Sequence, residues 1–121
     1  MMSTPKPNRG EVWLVRFDPS EGDEIQKIRP AVVMSIAGVG RLQLRIVVPI
    51  TDWKAHYPAF SWFVPLSPTA ANGLRKDSVA DAFQVKSVSE NRFIRRLGVL
   101  EQAQIDAIAA AIALCVGYKA P

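Results

Sequence analysis

Arg29 and Thr51 are the two residues whose types and settings first suggest chemistry. Arg29 precedes Pro30 and opens the apolar run Ala31-Val32-Val33-Met34. Proline has no N–H and a fixed φ, so Pro30 fits the entrance of a strand and holds Arg29 extended. Thr51 follows a stretch in which Leu42, Leu44, Ile46, Val48 and Ile50 alternate, the period of a strand with one face in a core. If the two strands pair antiparallel, the start of the first lies beside the end of the second. A guanidinium fork and a hydroxyl then share one sheet end, which is the outline of an anion site. The same residues also fit a plainer role, an arginine tied to a loop and a threonine that begins a turn.

The elements that must position this pair read as follows. Met1 to Asn8 has few apolar groups to bury and is expected to be flexible. Gly10 to Phe17 predicts a central strand, with Trp13, Val15 and Phe17 on one face and Val12 and Leu14 on the other. Asp18-Pro19-Ser20 ends it, and Ser20 to Ile28 is a polar loop long enough to move. Strands are expected over Pro30 to Ile36, Leu42 to Ile50, Ser61 to Leu66, Ser78 to Val88 and Phe93 to Leu100. Pro65 and Pro68 put the fourth of these six at an edge. Ser89 is placed to cap a helical turn over Ser89 to Arg92. Glu101 to Val116 is the one long helix, with Ile105, Ile108, Ile112 and Cys115 spaced for a single buried face and Gly117 to end it. Five or six short strands and a terminal helix predict a mainly β (α+β) fold, a small antiparallel barrel closed or nearly so. One domain over residues 9–117 is expected, with residues 118–121 as a tail.

Composition narrows the function classes. One histidine and one cysteine in 121 residues exclude an internal disulfide and argue against a zinc site, so no metal or other cofactor is expected. The N-terminus lacks the apolar run of a signal peptide, and Ile105 to Val116 is too short to span a bilayer. No membrane association is expected, and a cytoplasmic location is. Net charge is +4 and the pI about 9.6, a weak pointer to nucleic acid. Asp18, Glu21, Asp23 and Glu24 are four of the eleven acids, so the rest of the chain carries fifteen basic residues against seven acidic ones. An acidic loop that moves over such a body could uncover a positive surface; a loop that is merely solvated fits the same counts.

In order along the chain stand Arg9-Gly10-Glu11-Val12-Trp13, Phe17-Asp18-Pro19 with Gly22 and Glu24, and Arg29-Pro30-Ala31-Val32-Val33. Pro49-Ile50-Thr51, Lys76-Asp77-Ser78-Val79, Gln84-Val85 and Arg95-Arg96-Leu97-Gly98 follow. Together they resemble the MazF/PemK-type toxins over nearly the whole chain. The resemblance implies a homodimeric, metal-independent endoribonuclease that cuts single-stranded RNA, chiefly mRNA, and that a cognate antitoxin holds in check. It also implies a barrel of the SH3-like kind. It assigns a principal catalytic role to Arg29, and matches Thr51, Glu24 and Gln84 to family positions. Two departures stand out: Glu11 where the family usually has Asp, and Phe83 where an acid often precedes the late glutamine.

Metal-free RNA cleavage uses the 2′-OH as nucleophile on the adjacent phosphate, so a catalyst must accept that proton, protonate the leaving oxygen and stabilise the phosphorane. Arg29 suits the last task, since its fork donates two hydrogen bonds to phosphate oxygens, and Thr51 can add a third. Arginine is effectively never deprotonated. Glu24, His56, or no base at all, with rate coming from positioning, remain as alternatives. Trp53 and Tyr57 could stack on bases, with Lys54, Arg75, Lys76 and Lys86 near the backbone, or the two rings could pack under their own loop or at a dimer interface. Phe17, Ser20, His56, Asp77, Ser78 and Gln84 complete the expected RNA-facing set. A rival of another class is a toxin that binds and inhibits a protein such as DNA gyrase. It would not need Arg29 and Thr51 together. A third is an RNA-binding module without activity.

Overall fold

The computed structural model describes residues 6–37, 42–54 and 60–119. Seven strands form it: β1 (Glu11–Arg16), β2 (Ile28–Val33), β3 (Leu44–Asp52), β4 (Phe63–Leu66), β5 (Ser78–Asp81), β6 (Lys86–Ser89) and β7 (Phe93–Val99). One helix, α1 (Gln102–Cys115), closes the described chain, and 3₁₀ turns at Ala82–Gln84 and Glu90–Arg92 flank β6. All pairings are antiparallel, in the order β4-β5-β3-β2-β1-β7, with β6 also on β3. The class is the expected one, mainly β with a terminal helix. Closure is not: among the described residues no ladder joins β4 to β7, so the sheet is open rather than a closed barrel.

The sheet is buried on both faces. Val12, Val32, Val48, Ile50 and Ala80 meet Ile105 and Ile108 of α1 on one side. Val15, Phe17, Ala31, Val33, Val47, Val88 and Phe93 form a second cluster on the other, with Trp13 and Ile25 packed against it. The predicted division of β1 holds, and Phe17 is fully buried. On β3 the alternation holds only at its far end. Val48 and Ile50 are buried, whereas Leu44 and Ile46, and Leu42 ahead of the strand, are 42%, 41% and 72% exposed because the first cluster does not reach that end. On α1 the buried positions are Ile105, Ile108 and Ala111, with Ile112 and Cys115 half-buried beside them.

Local chemistry explains the borders. Asp81 accepts from the backbone N–H of Phe83 and caps a 3₁₀ turn, which splits the expected Ser78-to-Val88 strand into β5 and β6. Ser89 caps the second turn as expected, accepting from Asn91 N–H. Glu101 and Gln104 form a reciprocal capping box on α1, and Gly117, at φ +75°, ends that helix. Glu11 accepts from Trp13 Nε1 at 3.0 Å and Asn8 N–H at 2.8 Å, and pairs with Arg96 at 3.0 Å. The longer glutamate therefore ties the chain entry to β1 and β7 at once. No described helix is long and apolar enough to cross a membrane.

Candidate functional site

β2 and β3 pair through Ala31↔Pro49, Val32↔Val48 and Val33↔Val47. The ladder ends at Ala31↔Pro49; continued by two residues, its register sets Arg29 opposite Thr51. Arg29 is also the partner of Val15 on β1, and Thr51 of Val79 on β5. Directly opposed residues in an antiparallel pair share a face. Val15, Arg29, Thr51 and Val79 therefore form one row across four strands, polar in the middle and apolar at both ends. Arg29 and Thr51 are each half-buried. Arg29 Nε donates to the Gln26 carbonyl at 3.3 Å. Among the described residues neither its terminal nitrogens nor the Thr51 hydroxyl has a hydrogen-bond partner. Two kinds of donor are thus held at one sheet end with nothing among the described residues to satisfy them.

The acidic loop is tied down at several points. Phe17 N–H donates to the Lys27 carbonyl at 2.8 Å across its base. Arg92 Nη1 donates to the carbonyls of Arg16 and Asp18 at 2.9 and 2.7 Å. Gln84 uses both ends of its amide: Oε1 accepts from Ile25 N–H at 3.2 Å, and Nε2 donates to the Asp23 carbonyl at 2.8 Å. Glu24 lies between these anchors, 3.8 Å from Lys86 Nζ and accepting from Glu21 N–H. No contact joins Glu24 to Arg29 among the described residues; the lysine is its partner. Gln84→Ala removes two hydrogen bonds worth about 1 kcal/mol each. The Ile25 amide should then exchange with solvent about tenfold faster, with global melting nearly unchanged. Unchanged Ile25 protection would deny Gln84 this role.

The remaining expected RNA contacts separate into groups. The ring of Phe17 lies wholly in the second core cluster and is corrected to a packing role, since no ligand can reach it. Ser78 is buried, and its hydroxyl donates to the Lys76 carbonyl, so it holds a turn. Ser20 is half-buried, with its hydroxyl 3.5 Å from Asp18. Trp53 is 48% exposed, its backbone fixed by the Asp77 carbonyl at 2.9 Å. Lys54 and Asp77 are exposed beside it. His56 and Tyr57 lie outside the described residues. Lys76 pairs with Asp52 at 3.3 Å.

That pair belongs to the other side of the sheet. Pro30 and Asp52, each one residue from Arg29 and Thr51, point the opposite way. There they line a groove of about 310 Å³ with Leu14, Leu74 and Leu97 and with Arg75 and Arg95. Lys76, expected near the RNA backbone, lies in this groove and not on the face of Arg29. Sequence reasoning missed Phe60, Trp62 and Phe83 as a connected set. Phe60 and Trp62 stack at 4.4 Å, and Trp62 meets Phe83 at 5.7 Å. Beside them, burial raises the Asp81 carboxyl above its usual range, partly offset by hydrogen bonds from the N–H groups of Phe83 and Gln84.

Residues 8–116 match the family described as PemK-like, MazF-like toxin of type II toxin-antitoxin system. The endoribonuclease MazF9 of Mycobacterium tuberculosis is 35% identical over 104 residues, covering 80% of this chain and 85% of that protein. The endoribonuclease toxin MazF of Escherichia coli K12 is 33% identical over 119 residues, covering 97% of this chain and all of its own. In three dimensions the chain is similar to MazF of Deinococcus radiodurans, with a TM-score of 0.77, 25% identity, and 92% and 96% of the two chains covered.

Proposed function

This chain belongs to the PemK-like, MazF-like toxins of type II toxin–antitoxin systems, and from that premise we propose that it is an endoribonuclease whose reaction centres on Arg29 and Thr51. The observation that carries the reading is the pairing of unengaged donors at one sheet end, Arg29 opposite Thr51 by register, both half-buried. A partly dried site strengthens hydrogen bonds to a charged ligand. The substrate is single-stranded RNA, mRNA in the cell, whose unpaired phosphodiester can turn its 2′-oxygen in line with the leaving oxygen.

In the reaction the 2′-hydroxyl gives up its proton and its oxygen attacks the adjacent phosphorus, the bond to the 5′-oxygen breaks, that oxygen takes a proton from water, and a 2′,3′-cyclic phosphate and a 5′-hydroxyl result. Arg29 donates through both terminal nitrogens to the non-bridging oxygens, where charge grows in the phosphorane. Thr51 donates from the neighbouring strand and fixes the phosphate against the sheet end. Glu24 enters on the acidic loop, tethered by Lys86 at 3.8 Å. Its role here is to shape the loop and to take the 2′-proton only when substrate displaces the lysine. Trp53, Lys54 and Lys86 contact RNA beside this centre. The domain at work runs over residues 9–117. It acts in the cytoplasm as a homodimer, and a cognate antitoxin opposes it.

The test is incubation of the purified protein with a long mixed-sequence RNA in excess EDTA, with every new end mapped. Cuts at a short recurrent motif, each leaving a 5′-hydroxyl, are expected. Intact RNA, or activity that EDTA removes and Mg²⁺ or Mn²⁺ restores, would overturn the proposal. The EDTA arm follows from a chain with one histidine and one cysteine, too few soft or imidazole ligands for a dedicated transition-metal centre.

A further inference from the structure

The endoribonuclease reading leaves the exposed aromatic set without a task. We infer that Phe83, backed by Trp62 and Phe60, is a stacking platform for one nucleobase of the RNA substrate and so helps set which sequence is cut; the inference rests on that reading. Phe83 is 65% exposed, a poor place for a phenyl ring that only packs. Its surroundings hold it still. Phe60 and Trp62 stack almost parallel, at 4.4 Å and 9°, and Phe63 braces both rings edge-on, at 5.2 and 6.3 Å. Trp62 supports Phe83 at 5.7 Å with the planes tilted by 46°. The backbone is fixed as well: Asp81 accepts from Phe83 N–H at 3.1 Å, Val85 N–H donates to Ala82 at 3.2 Å, and Ala82 N–H donates to the Trp62 carbonyl at 3.1 Å. A ring supported by protein and already ordered loses little freedom when a base stacks on it.

Its position links the ring to the proposed centre. Phe83 precedes Gln84, whose amide grips Asp23 and Ile25, and the next residue, Gln26, supplies the carbonyl that meets Arg29 Nε. Phe83 is therefore one residue from the side chain that holds the acidic loop leading to Arg29. A nucleobase fits better than a second copy of the chain. Ala82 is buried and Val85 packs on the core, so the groups left near Phe83 in the chain are Asp81, Gln84 and Lys86, polar groups suited to the edge of a heterocycle and the charge of a backbone rather than to an apolar interface. The net charge of +4 favours a polyanion.

The experiment uses the full chain and a fluorescent RNA oligonucleotide containing the mapped motif, with the cut nucleotide 2′-deoxy so that binding is read without cleavage. Phe83→Ala should weaken binding about ten- to a hundredfold, the range for loss of one stacked base, and raise KM more than it lowers kcat. Phe83→Tyr should restore both. Oligonucleotides with one abasic position each then locate the partner base. One position should weaken wild-type binding and cost nothing further in Phe83→Ala, the coupling expected of a direct contact. Binding by Phe83→Ala within twofold of wild type, or equal losses at every abasic position, would overturn the platform. So would a drop from dimer to monomer in sedimentation for Phe83→Ala with no abasic coupling, which would assign the ring to the subunit contact. A wild-type protein that neither binds nor cuts RNA would bring down the endoribonuclease reading itself, and the platform with it. Cleavage by wild type and equal cleavage by Phe83→Ala would remove the platform alone.

Discussion

Arg29→Ala should cut RNA at least about a thousandfold more slowly than the wild-type chain while melting cooperatively near the same temperature. Loss of a single preorganised donor typically costs about 10²–10³ in rate, and Arg29 offers two donors and a full charge to the same oxygens. The folded state gives up little. Arg29 stands at the entrance of β2, outside both core clusters, and its one side-chain hydrogen bond among the described residues, to the Gln26 carbonyl, is long at 3.3 Å. A bond of that kind is worth about 1 kcal/mol or less. Arg29→Lys separates charge from geometry: an ammonium keeps the charge without the planar fork, so activity should recover only in part. Single-turnover cleavage and thermal melting of the same preparations decide the matter. Activity of Arg29→Ala within tenfold of wild type would take Arg29 out of the mechanism. Loss of the cooperative transition would instead make it a structural residue.

Why the positions of Arg29 and Thr51 on their strands could be read from the chain, while their surroundings could not, follows from the range of the interactions. Pro30 fixes its own φ and disfavours the helical region for its predecessor, so the Arg-Pro step announces a strand entrance from two residues alone. Alternation in Leu42 to Ile50 marks a strand, and two adjacent strands joined by a short turn are antiparallel. That places Arg29 beside Thr51 without knowledge of the rest. Alternation says nothing about coverage. Leu44 and Ile46 have the period of core residues and yet are exposed, because α1 and the second cluster do not extend over them. Val47 is fully buried on the other face, which a one-sided pattern does not reveal. The split at Ala82 came from one local bond, Asp81 to Phe83 N–H, competing with a stretch that otherwise reads as strand. Gln84 contacts residues 59 and 61 positions away, and no local pattern encodes such a contact. The groove on the reverse face was within reach. Pro30 and Asp52 had to point away from Arg29 and Thr51, but Arg95 joins them only through the pairing of β1 with β7.

Replacing one hydroxyl in the RNA tests the chemistry more directly than any change in the protein. If the 2′-OH of the cut nucleotide is the nucleophile, a synthetic oligonucleotide with hydrogen at that single position should not be cut at all. The same change at any other position should leave cleavage nearly intact. Binding should hardly alter, since backbone charge and base stacking carry most of the affinity for a single strand. The all-ribose control should yield a 5′ fragment ending in a 2′,3′-cyclic phosphate, or the monophosphate from its opening, and a 3′ fragment with a free 5′-hydroxyl. The expectation rests on what Arg29 and Thr51 can do. Both are donors at neutral pH, and neither can activate a water; they can only stabilise charge that an internal nucleophile creates. Glu24 of the acidic loop is paired with Lys86, and the described residues hold no group of three or more His, Cys, Asp or Glu side chains placed to bind a metal ion. An attacking group must therefore come with the substrate, and the 2′-OH is the one within reach of the phosphorus. Cleavage of the deoxy-substituted strand at a comparable rate would mean that water attacks. The roles given to Arg29, Thr51 and Glu24 would then fall together, and the search for a general base would have to begin again from His56.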